Sequence, residues 1–404
     1  MLGRDLVRSL EDDWRDALDG VARARGWPTT RDVAALGARV AALSAAYNDP
    51  GRASAAMRDA GAARLGFSFA RDVPKGAAAV RELVATGALS VDGGLRVLDV
   101  GAGLGATTWG VARALSASGA EGSIDVTWLD VDAPALELAR AVAHARANGE
   151  GHERVAVQAR TLVRAVGPLD DLGRFDLVLA GQVLSELDVG LPDETRVARH
   201  AALLGGWLDR RVEPHGSLVV IEPALRDRTR HLHRVRDALV ASGATVFAPC
   251  LHAAPCPALA HDTDWCHEDL DVDLPAWLTP VARAAGLRHE GLTFSYLVLR
   301  KDGRRVLDAV AAPVGAARLR VVSGTIATKG KTEVYLCGAL ADGDTGVVAR
   351  ARVMRLDRHA SGTNAAWERL SRGDVVTLDP SPEPDRPRVV AATQVSLSGD
   401  SESR

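Results

Sequence analysis

The sequence predicts an α/β protein built around a parallel sheet, and two observations indicate this. Short apolar runs alternate with helix-length segments between residues 75 and 300, as expected of repeated β-α-β units. The first of these runs, Leu95–Val100, ends in a glycine-rich turn that opens the next helix. A helical N-terminal region (1–74), a small β-domain (301–380) and a flexible tail (381–404) complete the predicted organisation.

The N-terminal region is predicted to be helical from its spacing of apolar residues. Leu6, Leu10, Trp14 and Leu18 recur every four residues, which places them on one face of a helix. An alanine-rich run over 33–47 has the same periodicity. We expect these helices to cap the central domain.

The central domain is predicted element by element from apolar runs and helical periodicity. After Leu95–Val100, strands are expected at 124–129, 155–157, 175–180, 217–221, 244–247 and 294–299. Helices are expected at 77–86, 107–116, 133–148 and 226–242. Four further strand-like runs, separated by Gly and Asp turns, define the β-domain: 319–322, 332–337, 347–354 and 374–378.

Composition and charge limit the class of protein. No run of eighteen apolar residues is present, and the N-terminus lacks the apolar core of a signal peptide. The formal net charge of -3 argues against a protein that coats DNA or RNA without specificity. Arg and Ala are abundant, which is typical of a GC-rich bacterial genome. We therefore expect a bacterial cytoplasmic protein with no membrane or DNA partner.

The glycine turn has the chemistry of a cofactor-binding loop. Glycines tolerate positive φ and have no Cβ, so the backbone of Gly101-Ala102-Gly103-Leu104-Gly105 can approach a ligand closely. An acidic residue, Asp130, ends the next strand, where such folds bind ribose hydroxyls. Ala106 stands where an NAD-binding motif requires its third glycine, which disfavours a dinucleotide site.

These segments resemble the motifs of class I S-adenosylmethionine-dependent methyltransferases over residues 75–300. The similar segments are Asp99–Gly105, Asp130–Arg140 and Phe175–Val178. The resemblance implies S-adenosylmethionine as cofactor, with the glycines around its methionine part and Asp130 on its ribose. The predicted cofactor-binding residues are Asp99, Gly101, Ala102, Gly103, Gly105, Asp130 and Gln182.

The sequence departs from catalytically competent methyltransferases in two places. After the third strand, the segment Val157–Leu162 lacks the acidic residue that many of these enzymes use near the adenine. After the fourth strand, Gly181–Leu187 contains neither an Asn/Asp-Pro-Pro motif for amine acceptors nor a Pro-Cys nucleophile. The catalytic residues therefore stay unknown, and Gln182, Glu186 and Glu222 are the candidates for contacting a substrate.

The four cysteines form the second candidate site. Cys250, Cys256 and Cys266 fall within one insertion, 250–267, and Cys337 lies in the predicted β-domain. Four thiolates complete the ligand set of either a zinc ion or an iron–sulfur cluster. Buried free thiols are the alternative to a metal site. A catalytic thiol is disfavoured, because the sequence shows no base or orienting partner for any of the cysteines.

The insertion resembles one particular family, the mitochondrial small-ribosomal-subunit methyltransferase-like assembly factors and their bacterial relatives. The resemblance rests on Ala248–Leu259, Asp264–His267, Ile221–Pro223, Phe294–Leu299 and Val183–Leu187, and it extends over residues 30–375. It implies a role at the small subunit and a [4Fe-4S] cluster on Cys250, Cys256, Cys266 and Cys337. The long, irregular intervals between the cysteines also favour a cluster over zinc, which remains the alternative.

A basic face is the last candidate feature. Residues 301–358 contain eleven Lys or Arg against six Asp or Glu, although the whole chain is acidic. Five more arginines lie in the predicted helix at 226–242: Arg226, Arg228, Arg230, Arg234 and Arg236. We expect both segments to contact ribosomal RNA, with Arg318, Arg320, Lys329 and Lys331 as the test positions. An ordinary solvated surface is the alternative.

Together these features predict a methyltransferase-like protein that acts on the small ribosomal subunit. One hypothesis is an S-adenosylmethionine-dependent enzyme that methylates ribosomal RNA. A second is a non-catalytic assembly or binding factor that keeps the fold as a scaffold, which the missing acceptor motif favours. A third is a small-molecule methyltransferase, for which the basic segment has no obvious use.

Overall fold

The computed structural model describes residues 2–48, 60–147, 153–288, 291–340 and 347–399. Within these residues the chain forms two sheets, an N-terminal group of helices and a loop-rich insertion that touches both sheets.

The N-terminal helices pack on one edge of the central domain, as expected of a cap. Helices α1 (Asp12–Arg23) and α2 (Val33–Asn48) are followed by a short helical turn, Gly61–Ala63, and a π-helical turn, Arg64–Ser68. The π turn leads directly into α3 (Phe69–Ala85), so this helix crosses the predicted boundary at residues 74 and 75. The buried ring of Trp14 contacts those of Phe69 and of Trp109, which belongs to the central domain.

The central sheet contains the five predicted parallel strands in the order β3-β2-β1-β4-β5. Their bounds are Leu95–Val100 (β1), Gly122–Asp130 (β2), Val155–Val163 (β3), Phe175–Gly181 (β4) and Val212–Glu222 (β5). Strand β8 (Leu292–Arg300) pairs antiparallel with β5 and separates it from β6 (Thr245–Ala248). The short strand β7 (Glu268–Leu270) pairs with the start of β8.

Helices cover both faces of this sheet. Helices α3, α4 (Ala106–Ala117) and α5 (Ala133–Ala147) lie on one side; α6 (Asp193–Arg210) and α7 (Arg226–Ala241) lie on the other. Neighbouring strand residues therefore enter different cores: Val97 packs in the first and Leu98 in the second. Burial on both faces explains why the parallel strands read as continuous apolar runs. A last short helix, α8 (Thr279–Ala284), packs against α2.

The second sheet is larger than the sequence predicts. Its strands are β9 (Ala317–Val321), β10 (Ile326–Thr328), β11 (Lys331–Leu340), β12 (Val347–Leu356), β13 (Val375–Asp379), β14 (Arg388–Val389) and β15 (Gln394–Leu397). The last two lie in the segment predicted to be a flexible tail, yet β14 pairs with β12 and β15 pairs with β13. Their apolar side chains Val389, Val395 and Leu397 are buried in the core of this sheet. Residues 400–404 lie outside the described part of the chain.

Buried ion pairs join the second sheet to the central domain. Arg320 of β9 contacts both carboxylate oxygens of Glu82 of α3, at 2.7 and 3.2 Å. Arg81, the neighbour of Glu82, pairs with Glu268 of β7 at 2.5 Å. All four side chains are at most 5% exposed. Tyr296 of β8 donates its hydroxyl hydrogen to Glu82, so one buried polar network connects the two sheets.

Candidate functional site

The glycine turn lies at the carboxyl ends of the parallel strands. Gly101, Gly103 and Gly105 have φ values of 67°, 51° and 79°, which only glycine adopts without strain. Gly105 caps the start of α4. A Cβ added at Gly103 would meet no atom within 4 Å, so the middle of the turn faces open space. Open space beside a helix N-terminus at this edge of an α/β sheet is where such folds bind their ligands.

Asp130, at the end of β2, reaches back to the turn. One carboxylate oxygen accepts the amide hydrogen of Gly103 at 2.8 Å, and the other accepts that of Asp132 at 2.9 Å. Arg64, in the π-helical turn, pairs with Asp132 at 2.9 Å. The predicted ribose-binding residue thus stands directly against the predicted cofactor turn.

Asp99, the last acidic residue of β1, has a carboxyl oxygen without a partner. Its Oδ2 accepts a hydrogen bond from Thr108 at 2.7 Å, whereas the buried Oδ1 has no partner among the described residues. Burial raises the pKa of Asp99 to about 7, although the Thr108 hydrogen bonds oppose this shift. A buried carboxyl in this state is suited to a cationic ligand group, which would ionise it.

The structure adds two residues that sequence reasoning missed, Asp72 and Lys75 of α3. Lys75 pairs with Asp72 at 2.8 Å, and their side chains are 12% and 16% exposed. Gln182, which follows β4 with a φ of 61°, donates its side-chain amide to Asp72 at 3.3 Å. Burial would raise the pKa of Asp72, but the cations of Arg71 and Lys75 outweigh it and lower that pKa. A buried ion pair therefore stands beside the predicted substrate face.

Two small-residue contacts fix this ion pair against the turn. A Cβ at Gly76 would lie 2.5 Å from the carbonyl oxygen of Thr107, at the start of α4. A Cβ at Gly181 would lie 2.5 Å from the Thr107 hydroxyl. Only glycine permits these approaches, which draw α3, α4 and the end of β4 together.

The remaining substrate candidates, Glu186 and Glu222, have different surroundings. Both carboxylate oxygens of Glu222 accept backbone amide hydrogens, from Leu184 at 2.9 Å and from Ser185 at 3.1 Å. Burial nevertheless raises the pKa of Glu222 to about 7. Glu186 is exposed and stands within range of the charges of Asp130 and Arg228. Glu222 thus shapes the turn after β4, whereas Glu186 faces outward.

The four cysteines gather where the insertion meets the second sheet. Cys337 lies on β11, and its Sγ is 3.6 Å from Nε2 of His252 in the insertion. The backbone amide of Cys256 donates to the Asp237 carboxylate, and that of Cys266 donates to His233. Both acceptors belong to α7, so this helix holds the insertion in place. All four thiols are half-buried.

The thiols influence one another electrostatically. Burial, followed by the charge of Cys250, raises the pKa of Cys266 to about 12. Burial also raises the pKa of Cys337, with further contributions from the other three cysteines. Within the described residues, however, no group of three or more His, Cys, Asp or Glu side chains is arranged to hold a metal ion. The geometry therefore gives no support to either predicted metal, the [4Fe-4S] cluster or the zinc ion.

A family comparison covers most of this structure. Residues 93–374 match the model of the family described as "Mitochondrial small ribosomal subunit Rsm22". The chain belongs to this family. The matched segment includes the glycine turn, the insertion with its three cysteines, and Cys337. No curated protein matches the chain.

Solved structures similar to the Rsm22-family chain include several methyltransferases. A protein from Listeria monocytogenes described as a "putative class I S-adenosylmethionine-dependent methyltransferase" shares 14% identity, with 75% of this chain and 90% of that chain covered, at a TM-score of 0.38. A methyltransferase from Pyrococcus furiosus shares 15% identity (52% and 75% covered, TM-score 0.30). A precorrin-6y C5,15-methyltransferase from Geobacter metallireducens shares 16% identity (54% and 86% covered, TM-score 0.29). The predicted α/β fold, a largely parallel sheet with helices on both faces and additional strands, is present in the structure itself.

The basic residues are used differently from the prediction. Arg320 is buried against Glu82, so the expectation that it contacts RNA is wrong. Arg318 donates to two carbonyl oxygens, those of Leu307 and Val310, and Lys331 pairs with Glu333 at 3.0 Å. In α7, Arg230 and Arg236 are likewise buried and hold the insertion. Many of these cations therefore bind other parts of the protein and do not form a surface for RNA.

No helix in the described part of the chain has the length and apolar character needed to span a membrane. The family description names mitochondria, so the expected bacterial cytoplasmic location stays a prediction.

Proposed function

We propose that this protein binds S-adenosylmethionine at the glycine turn and methylates RNA of the small ribosomal subunit. One observation supports this above the others. The open space at Gly103 lies beside Asp130, whose carboxylate accepts the Gly103 amide hydrogen, in a chain of the small-ribosomal-subunit family. Bound S-adenosylmethionine would supply an electrophilic methyl group.

The chain's own residues fit the two ends of that cofactor. Asp130 would accept hydrogen bonds from the ribose hydroxyls, as acidic residues at this position do in related folds. The methionine end is a zwitterion, and it would meet charges of both signs: the carboxyls of Asp99 and Asp72 for the ammonium, and the ammonium of Lys75 for the carboxylate. Gln182, held by Asp72, would border the methyl group on the acceptor side.

The test combines binding with transfer. Protein is incubated with isotopically labelled S-adenosylmethionine and with small-subunit particles from a strain that lacks the gene, and transferred label is mapped on the RNA. Asp130→Ala is expected to lose cofactor binding and transfer. Asp125→Ala, on the exposed face of the same strand, is the matched control and should keep both.

The methionine end is tested by ligand truncation. S-adenosylhomocysteine has the amino-acid end, whereas methylthioadenosine lacks it. We expect Lys75→Met to weaken S-adenosylhomocysteine about tenfold, the effect of losing one charge-assisted hydrogen bond, and to leave methylthioadenosine unchanged in calorimetric titrations. Arg71→Met, whose side chain pairs with the same Asp72 but is 36% exposed, is the control. Equal losses for both ligands would contradict this assignment.

A second candidate is a non-catalytic assembly factor with the same fold. Two observations favour it: Gln182 is engaged with Asp72, and both Glu222 oxygens are engaged with backbone amides. Stoichiometric binding to small-subunit particles without any transferred methyl would support this candidate. Binding of neither cofactor nor particle would refute both.

The proposal includes a [4Fe-4S] cluster on Cys250, Cys256, Cys266 and Cys337, which donor chemistry supports although geometry does not. Four thiols gather near the cations Arg236, Arg350 and Arg372, which would stabilise thiolates. Thiolate ligands require proton loss, so raised thiol pKa values describe the metal-free protein. Anaerobically purified protein should be brown and contain iron and sulfide, and Cys337→Ala should lose both. A colourless protein with one zinc ion would refute the cluster.

A further inference from the structure

A cavity lies outside the cofactor turn, at the carboxyl ends of β4 and β5. Its volume is about 410 Å³, within the range of pockets that hold small ligands. It is lined by Ser185 and the buried Glu222, by residues from the start of α7, and by the exposed Asp262 and its neighbour Thr263 of the insertion. The cavity is therefore assembled from the central sheet and the insertion together.

Five arginines line this cavity: Arg196, Arg226, Arg228, Arg230 and Arg234. Three of them have protein partners. Arg230 donates to carbonyl oxygens of the insertion, and Arg196 donates to carbonyl oxygens of Leu184 and Leu187. Arg234 pairs with Asp193 at 3.3 Å. These three arginines build the cavity walls.

Arg226 and Arg228 remain available for a ligand. Neither side chain makes a hydrogen bond or an ion pair with any residue in the described ranges. Arg228 is half-buried, so its charge is held at the cavity rather than in bulk solvent. Two guanidinium groups at one cavity are the usual means of binding a phosphate, because each offers paired N–H donors.

The acidic and imidazole groups of the cavity do not cancel this charge. The carboxylates of Asp193 and Asp262 are 77% and 105% exposed, at the rim, and Asp227 is exposed as well. Glu222 is buried and satisfied by backbone amides. His231 bonds to His200 at 2.8 Å, and burial lowers its pKa to about 4, so it is neutral at pH 7. The cavity thus favours an anion.

The cavity also adjoins the proposed methyl-transfer edge. Ser185 lines the cavity and donates its hydroxyl hydrogen at 3.3 Å to the carbonyl oxygen of Gln182, the residue proposed to border the methyl group. A ligand that reaches from Gln182 into the cavity would place one part near the cofactor and an anionic part at Arg228. A nucleotide within a strand has this form, with a base at one end and a phosphodiester at the other.

We infer that this cavity binds a backbone phosphate of the RNA substrate through Arg226 and Arg228. The inference rests on the proposed action on RNA and adds the place where the strand is held. Phosphate contacts fix the register of a nucleic acid on a protein without reading its sequence. They would therefore position a target nucleotide that the turn after β4 does not itself recognise.

The test compares two double variants of equal charge. Arg226→Gln/Arg228→Gln changes the cavity, whereas Arg39→Gln/Arg283→Gln removes two exposed arginines from α2 and α8. Binding of a fluorescein-labelled single-stranded oligouridylate is measured at several salt concentrations, with cytidine monophosphate as competitor. Thermal melting of each variant shows whether it is folded.

The cavity variant should bind the oligouridylate about tenfold more weakly, with the slope of log affinity against log salt reduced by about one, and the control should match wild type. Equal losses in both variants, or no loss in the cavity variant, would overturn the inference. Cytidine monophosphate binding as tightly as the oligomer would overturn it too, in favour of a small phosphorylated ligand. If wild type binds neither oligomer nor small-subunit particles, the proposed function itself fails.

Discussion

Arg320→Met tests the buried cation that joins the two sheets. Arg320 contacts both oxygens of Glu82, and it also donates to the carbonyl oxygens of Gly373 at 2.7 Å and Pro249 at 3.0 Å. Methionine keeps the apolar stem of the side chain and removes every one of these hydrogen bonds. The substitution therefore isolates the charge and its donors from the packing.

The expected loss of unfolding free energy is about 3–5 kcal/mol, because removing one partner leaves a buried charge uncompensated. The Glu82 side chain is only 2% exposed, so water does not replace the guanidinium. Burial would raise the pKa of Glu82, but the charges of Arg320 and Arg81 override it and lower that pKa. A depressed pKa means that the pair stabilises the protein above the pKa of an unfolded Glu and that this stability is lost as the pH falls through the folded pKa. The difference between wild type and variant should therefore shrink in acid.

The assay is urea unfolding at pH 7 and at a pH below 4.5, the ordinary pKa of an unfolded Glu, followed by tryptophan fluorescence and circular dichroism. Arg154→Met is the control, because Arg154 and its partner Glu121 are 61% and 74% exposed and such pairs contribute at most about 1 kcal/mol. The double variant Glu82→Gln/Arg320→Met should recover part of the loss, since no buried charge is left alone. If Arg320→Met lies within about 1 kcal/mol of wild type, the network is not what joins the sheets.

Three further predictions concern the cofactor turn and the insertion. Asp99 has a pKa of about 7 and must be ionised to hold an ammonium, so affinity for S-adenosylhomocysteine should rise about tenfold from pH 6 to pH 8. In calorimetric titrations Asp99→Asn should bind more weakly and without pH dependence, and a flat wild-type profile would contradict this role. Gly105→Ala should lower stability by at least about 1–2 kcal/mol, because its φ is 79° and the added Cβ would lie 2.8 Å from Trp128; an unchanged melting temperature would show that the turn relaxes freely. Arg230→Met should speed amide hydrogen exchange in 258–264, whose carbonyl oxygens it holds, whereas exchange in β1 should not change; equal effects in both segments would indicate general unfolding instead.

Local signals in the sequence predict the central sheet well. Strand β1 has the predicted bounds, and the turn after it has the positive φ values that its glycines imply. Each parallel strand is buried on both faces, so its apolar run is visible without knowledge of its neighbours. Asp130 meets the turn because the carboxyl ends of parallel strands share one edge.

Features that depend on distant pairing are not visible in the sequence. Helix α6 is missed because Gly205 and Gly206 interrupt its pattern, yet Leu204 and Trp207 anchor it in the core. Strand β15 follows a Pro- and Asp-rich segment, and only β13 shows that it belongs to a sheet.

Charge is the property for which sequence reasoning fails most clearly. Arg320 counts as one more cation in a basic segment, although its partner Glu82 lies far away in the chain. Sequence reasoning misses Asp72 and Lys75 for the same reason. They lie in α3, well before the glycine turn in the chain, and still border it. A count of charged residues along the sequence therefore describes the surface charge only when the residues of buried ion pairs are left out of the count.

The network around Glu82 has a consequence for how this chain can be divided or inherited. A fragment ending at residue 300 would keep Glu82 and Glu268 but would lose Arg320, the guanidinium that enters from the second sheet. Cutting between the sheets would thus leave Glu82 in one fragment and Arg320 in the other, each without its partner, so neither fragment would fold as an independent domain. We therefore expect the two sheets to be inherited together in recombination, and we expect truncations that separate them to be unstable.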